Sequence, residues 1–149
     1  MSDELSFVWT WYGQDEHAWA LASCEAFRCL EFLTLDAQEQ ERAICGCPGC
    51  ETWSGKILPL HDWLEKCPGS QVPEFRDALQ EVWERCNELT DDALGCYDHN
   101  IYADETWIPV RAAARIALEK GGWETLREHV ESVVTGCDRR LSPWRYREE

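Results

Sequence analysis

Apolar residues recur at spacings of three and four along much of this chain, the period at which side chains share one face of an α-helix. Between Asp15 and Leu33 the stripe is Trp19, Ala22, Ala26, Leu30 and Leu33, with Asp15 and Glu16 at the end where a helix dipole favours negative charge. A second stripe, Phe75, Leu79, Val82, Cys86 and Leu89 with Trp83 beside it, follows Pro73, a residue suited to a first helical turn. A third helix opens at Asp104 or Thr106, takes Pro109 into its first turn and runs through RAAARIALEK to the stop signal Gly121-Gly122. A fourth carries Trp123, Leu126, Val130 and Val133 and is expected to stop at Gly136. Helix formers also continue from Leu35 to Ala43, and a short helical turn is expected between Leu58 and Glu65.

Two stretches break the helical period. Leu5 to Tyr12 (LSFVWTWY) is aromatic and β-preferring and is punctuated by Gly13, so it reads as a short strand or as an extended N-terminal arm. The run CGCPGCETWSGK has three glycines, one proline and three cysteines, which predicts a structured knuckle rather than a helix. The expected fold class is therefore mainly α: a compact bundle of about four long helices, with a zinc-knuckle-like loop between the first two and room for one short N-terminal strand. No linker divides the 149 residues, a common single-domain length. The expected organisation is one acidic helical domain over residues 1–137 and an Arg-rich tail over 138–149.

Charge changes this picture by its distribution. The net charge is −15, yet residues 1–55 carry ten acids against two bases, residues 56–105 twelve against four, and residues 106–149 seven against eight. A field of that sign repels phosphate backbones and anionic lipid and steers association with basic surfaces. Direct binding of nucleic acid or membrane is thus not expected of residues 1–105. No apolar run approaches the roughly 20 residues of a membrane span, and the first residues are acidic where a signal peptide is basic, so a cytoplasmic protein is expected. The tail reverses the charge, with Arg139, Arg140, Arg145 and Arg147 around Trp144 and Tyr146. It is expected to dock on the acidic body, with binding of a partner and fraying as the alternatives.

Nine cysteines in a reducing compartment point away from a disulfide framework and towards metal ligation or core packing. Cys45, Cys47 and Cys50 put three thiols within six residues on a turn, and structural zinc takes such thiolates at about 2.3 Å. Cys47, Cys50, His61 and Cys67 would complete one site, with Cys45 competing for any of its positions. Cys24 and Cys29 are further candidates, whereas Cys86 and Cys137 extend apolar stripes and read as core. The zinc so held is expected to be structural. A second reading treats Cys47-Pro48-Gly49-Cys50 as a redox pair, which needs a helix N-terminus to lower the thiol pKa, and none is expected after Cys50.

The histidines offer another chemistry. GQDEHAWALA, around His17, and LPLHDWLEK, around His61-Asp62, resemble the first two elements of the helical HD-type metal phosphohydrolases. That resemblance implies a divalent ion held by His17, His61 and Asp62, with Asp98, Asp104 or Asp138 as the last ligand. The reading that charge and cysteines favour is different. It is a non-enzymatic acidic protein, stapled by zinc, that occupies a basic surface of a nucleic-acid-binding protein as a DNA mimic does. An immunity protein or antitoxin neutralising a basic nuclease shares that chemistry. Asp36, Glu39, Glu41, Asp91, Asp92, Asp98, Asp104 and Glu105 would stand in for phosphates, and Tyr97, Tyr102 and Trp107 would anchor the contact.

Overall fold

The computed structural model describes residues 5–96 and 99–146, and among them every regular element is helical. In chain order these are α1 (Phe7–Gly13), α2 (His17–Thr34), α3 (Ala37–Ala43), α4 (Pro48–Thr52) and α5 (Leu58–Lys66). They continue with α6 (Pro73–Asn87), α7 (Trp107–Lys120), α8 (Trp123–Leu126) and α9 (Val130–Leu141). Short 3-10 turns at Asp92–Leu94 and His99–Ala103 fill the stretch between α6 and α7. Among the described residues, no helix is long and apolar enough to cross a membrane.

The 18-residue α2 is the hub, packing against α1, α5, α7 and α9, while α6 lies along α7 and touches α5. The stripes predicted for α2 and α6 face inward: Ala26, Leu30 and Leu33 of the first and Phe75, Leu79, Val82 and Cys86 of the second are all buried. An aromatic cluster fills the centre. Phe27 sits 5.3 Å from Trp123 and 5.2 Å from Phe75, ring to ring, and Trp63 meets Phe75 edge-on at 5.1 Å. The indoles keep their donors satisfied: Trp63 Nε1 donates to Ser23 Oγ at 2.8 Å, and that hydroxyl donates to the Trp19 carbonyl at 2.8 Å.

Three expectations are corrected here. The segment expected as a strand or arm is the helix α1, opened by Ser6, whose side chain accepts from the Val8 N–H. Its local β preference yields because Val8 and Trp11, three residues apart, are both buried when the segment coils. From Pro48 onward the cysteine run is helical as well: α4, a π-helical turn over Trp53–Ile57 and α5 follow one another without a break. Pro48 falls in the first turn, where its missing N–H costs nothing, so the proline starts the helix instead of preventing it. Finally, Gly136 does not stop the last helix. A Cβ there would overlap the Tyr12 hydroxyl, so this glycine serves close packing of α9 against α1, and the helix runs on through Asp138, Arg139 and Arg140 to Leu141.

The boundary drawn at residue 138 therefore falls inside α9. Beyond it, the Pro143–Tyr146 turn packs on α9, Arg145 pairs with Asp138 at 3.1 Å, and Trp144 stays 66% exposed. The described part of the tail beyond α9 packs on that helix.

Candidate metal centre

Cys47 caps the N-terminus of α4 and Cys50 stands in its first turn, so the Cys-Pro-Gly-Cys spacing presents both thiols at one helix end. Cys96 comes to the same place from the stretch between α6 and α7. The Sγ atoms of Cys47, Cys50 and Cys96 all lie within 4.8 Å of one another, close enough to bind one metal ion. Cys50 Sγ is 3.5 Å from Cys96 Sγ, and the Cys47 thiol donates to the Cys96 carbonyl at 3.6 Å.

The close approach has a cause in the sequence. Gly49 packs its α-carbon against the backbone of the Asp92–Leu94 turn, where any Cβ would overlap the Leu94 carbonyl. One residue with no side chain thus lets Cys96 reach the helix end.

The thiols are not equivalent. The backbone N–H of Cys50, with help from the Cys96 and Cys50 thiols, holds the Cys47 thiol below its ordinary pKa. Hydrogen bonding with Cys47 and then Cys96 pushes Cys50 up to about 11. Such a cluster loses its first proton readily and its later ones with difficulty, because each further thiolate adds negative charge within a few ångströms. A divalent cation removes that penalty, and the ion's affinity then depends on pH.

The other residues expected at the metal stand elsewhere. Cys45 is exposed and outside the three-thiol cluster. His61 pairs with Glu65 at 3.0 Å and lies 4.5 Å from the Trp83 ring, and Cys67 is buried with its thiol directed at the Trp19 carbonyl at 4.0 Å. The unbroken helix from Pro48 explains the separation of His61, since eleven residues of helical rise carry it about 16 Å along from Cys50. Cys24, Cys29, Cys86 and Cys137 are buried, with burial raising every thiol pKa. His17 stands 3.5 Å from Asp15 and against the Tyr12 ring. Neither His17 nor the His61-Asp62 pair belongs to any potential metal-holding group among the described residues.

Cys96 is the member of the cluster that sequence reasoning missed. It lies off every apolar stripe, behind Gly95 in a polar stretch, and a cysteine so placed has no packing to explain it.

The carboxylates singled out for partner binding converge on the same end of the molecule. Asp36, Glu39 and Glu41 belong to α3, which packs against the His99–Ala103 turn; that turn meets the Asp92–Leu94 turn, and both touch α4. Asp36, Glu39, Glu41, Asp91, Asp92 and Glu105 are exposed. Asp36 and Glu39 also form a capping box, with Asp36 Oδ1 accepting from the Glu39 N–H at 2.9 Å. Asp104 is half-exposed and accepts from the Thr106 hydroxyl at 2.6 Å and the Thr106 N–H at 2.9 Å, bonds that hold its carboxyl below the usual range. Tyr97 and Asp98 lie outside the described residues.

Tyr102 and Trp107 do not present anchoring surface, which corrects the role expected of them. Both are buried: the Tyr102 hydroxyl bonds Thr52 Oγ1 at 2.6 Å, and Trp107 Nε1 donates to the Ala93 carbonyl at 3.2 Å. Tyr102 fastens the His99–Ala103 turn to α4, and Trp107 fastens the Asp92–Leu94 turn to α7. Arg111, on α7, completes the fastening by donating to the Leu35 carbonyl at 2.9 Å, Gln40 Oε1 at 2.8 Å and the Tyr102 carbonyl at 2.7 Å.

In comparisons with family models, with curated proteins and with solved structures, no match was found.

Proposed function

We propose that this protein is a non-enzymatic acidic binding protein whose cysteine-bearing end occupies a basic surface of a nucleic-acid-binding protein, with a structural zinc ion at Cys47, Cys50 and Cys96. The observation that carries the reading is the convergence just described. Carboxylates from α3 and from the stretch between α6 and α7, some fifty residues apart in sequence, stand on elements that pack together. Exposed carboxylates spread over adjoining turns can take the place of phosphates in a cationic groove. The zinc supports this arrangement by tying α4 to the turn that bears Asp91 and Asp92. The immunity or antitoxin form of the reading uses the same surface against a basic nuclease.

The test uses a partner retained on the immobilised protein and then purified. The complex should weaken steeply as salt rises, duplex DNA should compete for it, and the quadruple variant Glu39→Gln, Glu41→Gln, Asp91→Asn, Asp92→Asn should lose most of the binding. A complex indifferent to salt and to DNA would overturn the proposal, and so would manganese- or cobalt-dependent hydrolysis of nucleotide monoesters. For the metal, elemental analysis should find one zinc per chain in the purified protein and none in Cys47→Ser/Cys50→Ser. Since the ligands bind as thiolates, the ion should leave as pH falls and protons reclaim the sulfurs.

A further inference from the structure

Structural zinc is four-coordinate, and three thiols leave one corner of the tetrahedron to fill. We infer that Cys45 fills it, making a four-thiolate site from Cys45, Cys47, Cys50 and Cys96; this rests on the zinc reading above. The five cysteines of the core do not compete for the position. Cys24, Cys29, Cys67, Cys86 and Cys137 are buried, and reaching the cluster would mean unpacking the helices that carry them. The described histidine side chains are engaged as well: His17 with Asp15 and Tyr12, His61 with Glu65 and Trp83, and His129 against the Trp9 ring at 5.6 Å.

Cys45 differs from all of these. It is exposed, and it lies in the short link from the end of α3 at Ala43 to the cap residue Cys47, a link with no helical structure of its own. Ile44 before it is anchored in the core, but the Cys45 side chain is not, so turning its thiol towards the cluster breaks no helix. The link is already held close to α4, because the Gly46 N–H donates to Glu51 Oε2 at 2.7 Å. That bond keeps the residue between Cys45 and Cys47 against the first turn bearing Cys50, so only Cys45, between the anchored Ile44 and Gly46, has to reorient. The same metal would then join three pieces: the end of α3, the start of α4 and the stretch holding Cys96. Those pieces carry Glu39 and Glu41 on one side and Asp91 and Asp92 on the other.

Cobalt(II) titration of the apoprotein tests this, because sulfur-to-cobalt charge-transfer intensity counts thiolate ligands and the visible bands report tetrahedral geometry. The wild type should show tetrahedral bands with four thiolates' worth of charge transfer. Cys45→Ser should lose roughly a quarter of that intensity and bind cobalt on the order of 100-fold more weakly, since each of four ligands carries its share of the binding free energy. Cys45→His should restore tight tetrahedral binding with a shifted spectrum, which separates lost ligation from lost folding. If wild type and Cys45→Ser bind cobalt with equal affinity and equal spectra, Cys45 is not a ligand, while the three-thiol centre stands. If the wild type takes up no cobalt or zinc, the metal reading fails and this inference fails with it.

Discussion

The aromatic centre around Phe27 and the cysteine end around Cys47 hold together by different means. In the first, rings from α1, α2, α5, α6 and α8 are packed within about van der Waals reach, and nearly all the stabilisation comes from apolar area removed from water. In the second, short helices and 3-10 turns also bury apolar groups, Ile101, Tyr102 and Trp107 among them, but the pieces are joined in addition by single polar links: Thr52 to Tyr102, Trp107 to Ala93, and Arg111 to three acceptors. Apolar packing is redundant, because each ring touches several others. A polar link is not redundant, because removing one partner leaves the other buried and unpaired. The cysteine end is therefore the part where one substitution at a polar link is expected to change local order first.

The comparison can be broken from either side. Phe27→Ala removes a fully buried ring shared by Phe7, Phe75 and Trp123, and should cost about 3–5 kcal/mol of global stability in a denaturant titration. A loss below about 1 kcal/mol would show that the aromatic centre is loosely packed after all. Arg111→Met keeps the stem but abandons the Leu35 and Tyr102 carbonyls and Gln40, and should cost about 2–3 kcal/mol. Its effect on amide exchange should concentrate in α3 and the His99–Ala103 turn, and a uniform effect would contradict the division into two regions.

Gly49→Ala sharpens the comparison further. The new methyl must push the Leu94 carbonyl away, so about 1–3 kcal/mol of overpacking should appear together with weaker zinc binding, as Cys96 is carried off with its turn. Zinc affinity equal to wild type would mean that the three thiols gather without that close approach. The smallest effect expected is that of Thr52→Val, which leaves the buried Tyr102 hydroxyl without its partner at about 1 kcal/mol. If the loss is local, it should show as faster exchange at the His99–Ala103 turn and leave α2 untouched.

Much of the helical framework was legible from periodicity. The stripes of α2 and α6 are long, and helix is the conformation that buries Leu30 and Leu33, or Leu79 and Val82, together. Short segments were less legible because a few residues satisfy several periods. LSFVWTWY favours β locally, and its choice of helix is made by the neighbours that cover Val8 and Trp11. Proline and glycine misled for the same reason: Pro48 starts a helix, Gly49 allows a close approach and Gly136 sits mid-helix against Tyr12, roles set by partners remote in sequence. Of the metal centre, Cys47 and Cys50 were visible as a pair on one turn, while Cys96 lies 46 residues beyond Cys50 and no local spacing rule reaches it.

By itself the sequence determined that the chain is mainly helical, that its net negative charge belongs to residues 1–105, and that three thiols lie within six residues at Cys45–Cys50. Those properties follow from composition and from the 3.6-residue period, which act over a turn or two of chain. The tertiary structure decided which third thiol meets Cys47 and Cys50, that Tyr102 and Trp107 lie beneath the surface, and that α3 shares one end of the molecule with the acidic turns after α6. Each of these depends on two backbones approaching through a single contact, such as Gly49 on Leu94 or Arg111 on Tyr102. Such contacts are decided by how whole helices pack, and periodicity along the chain carries no information about them.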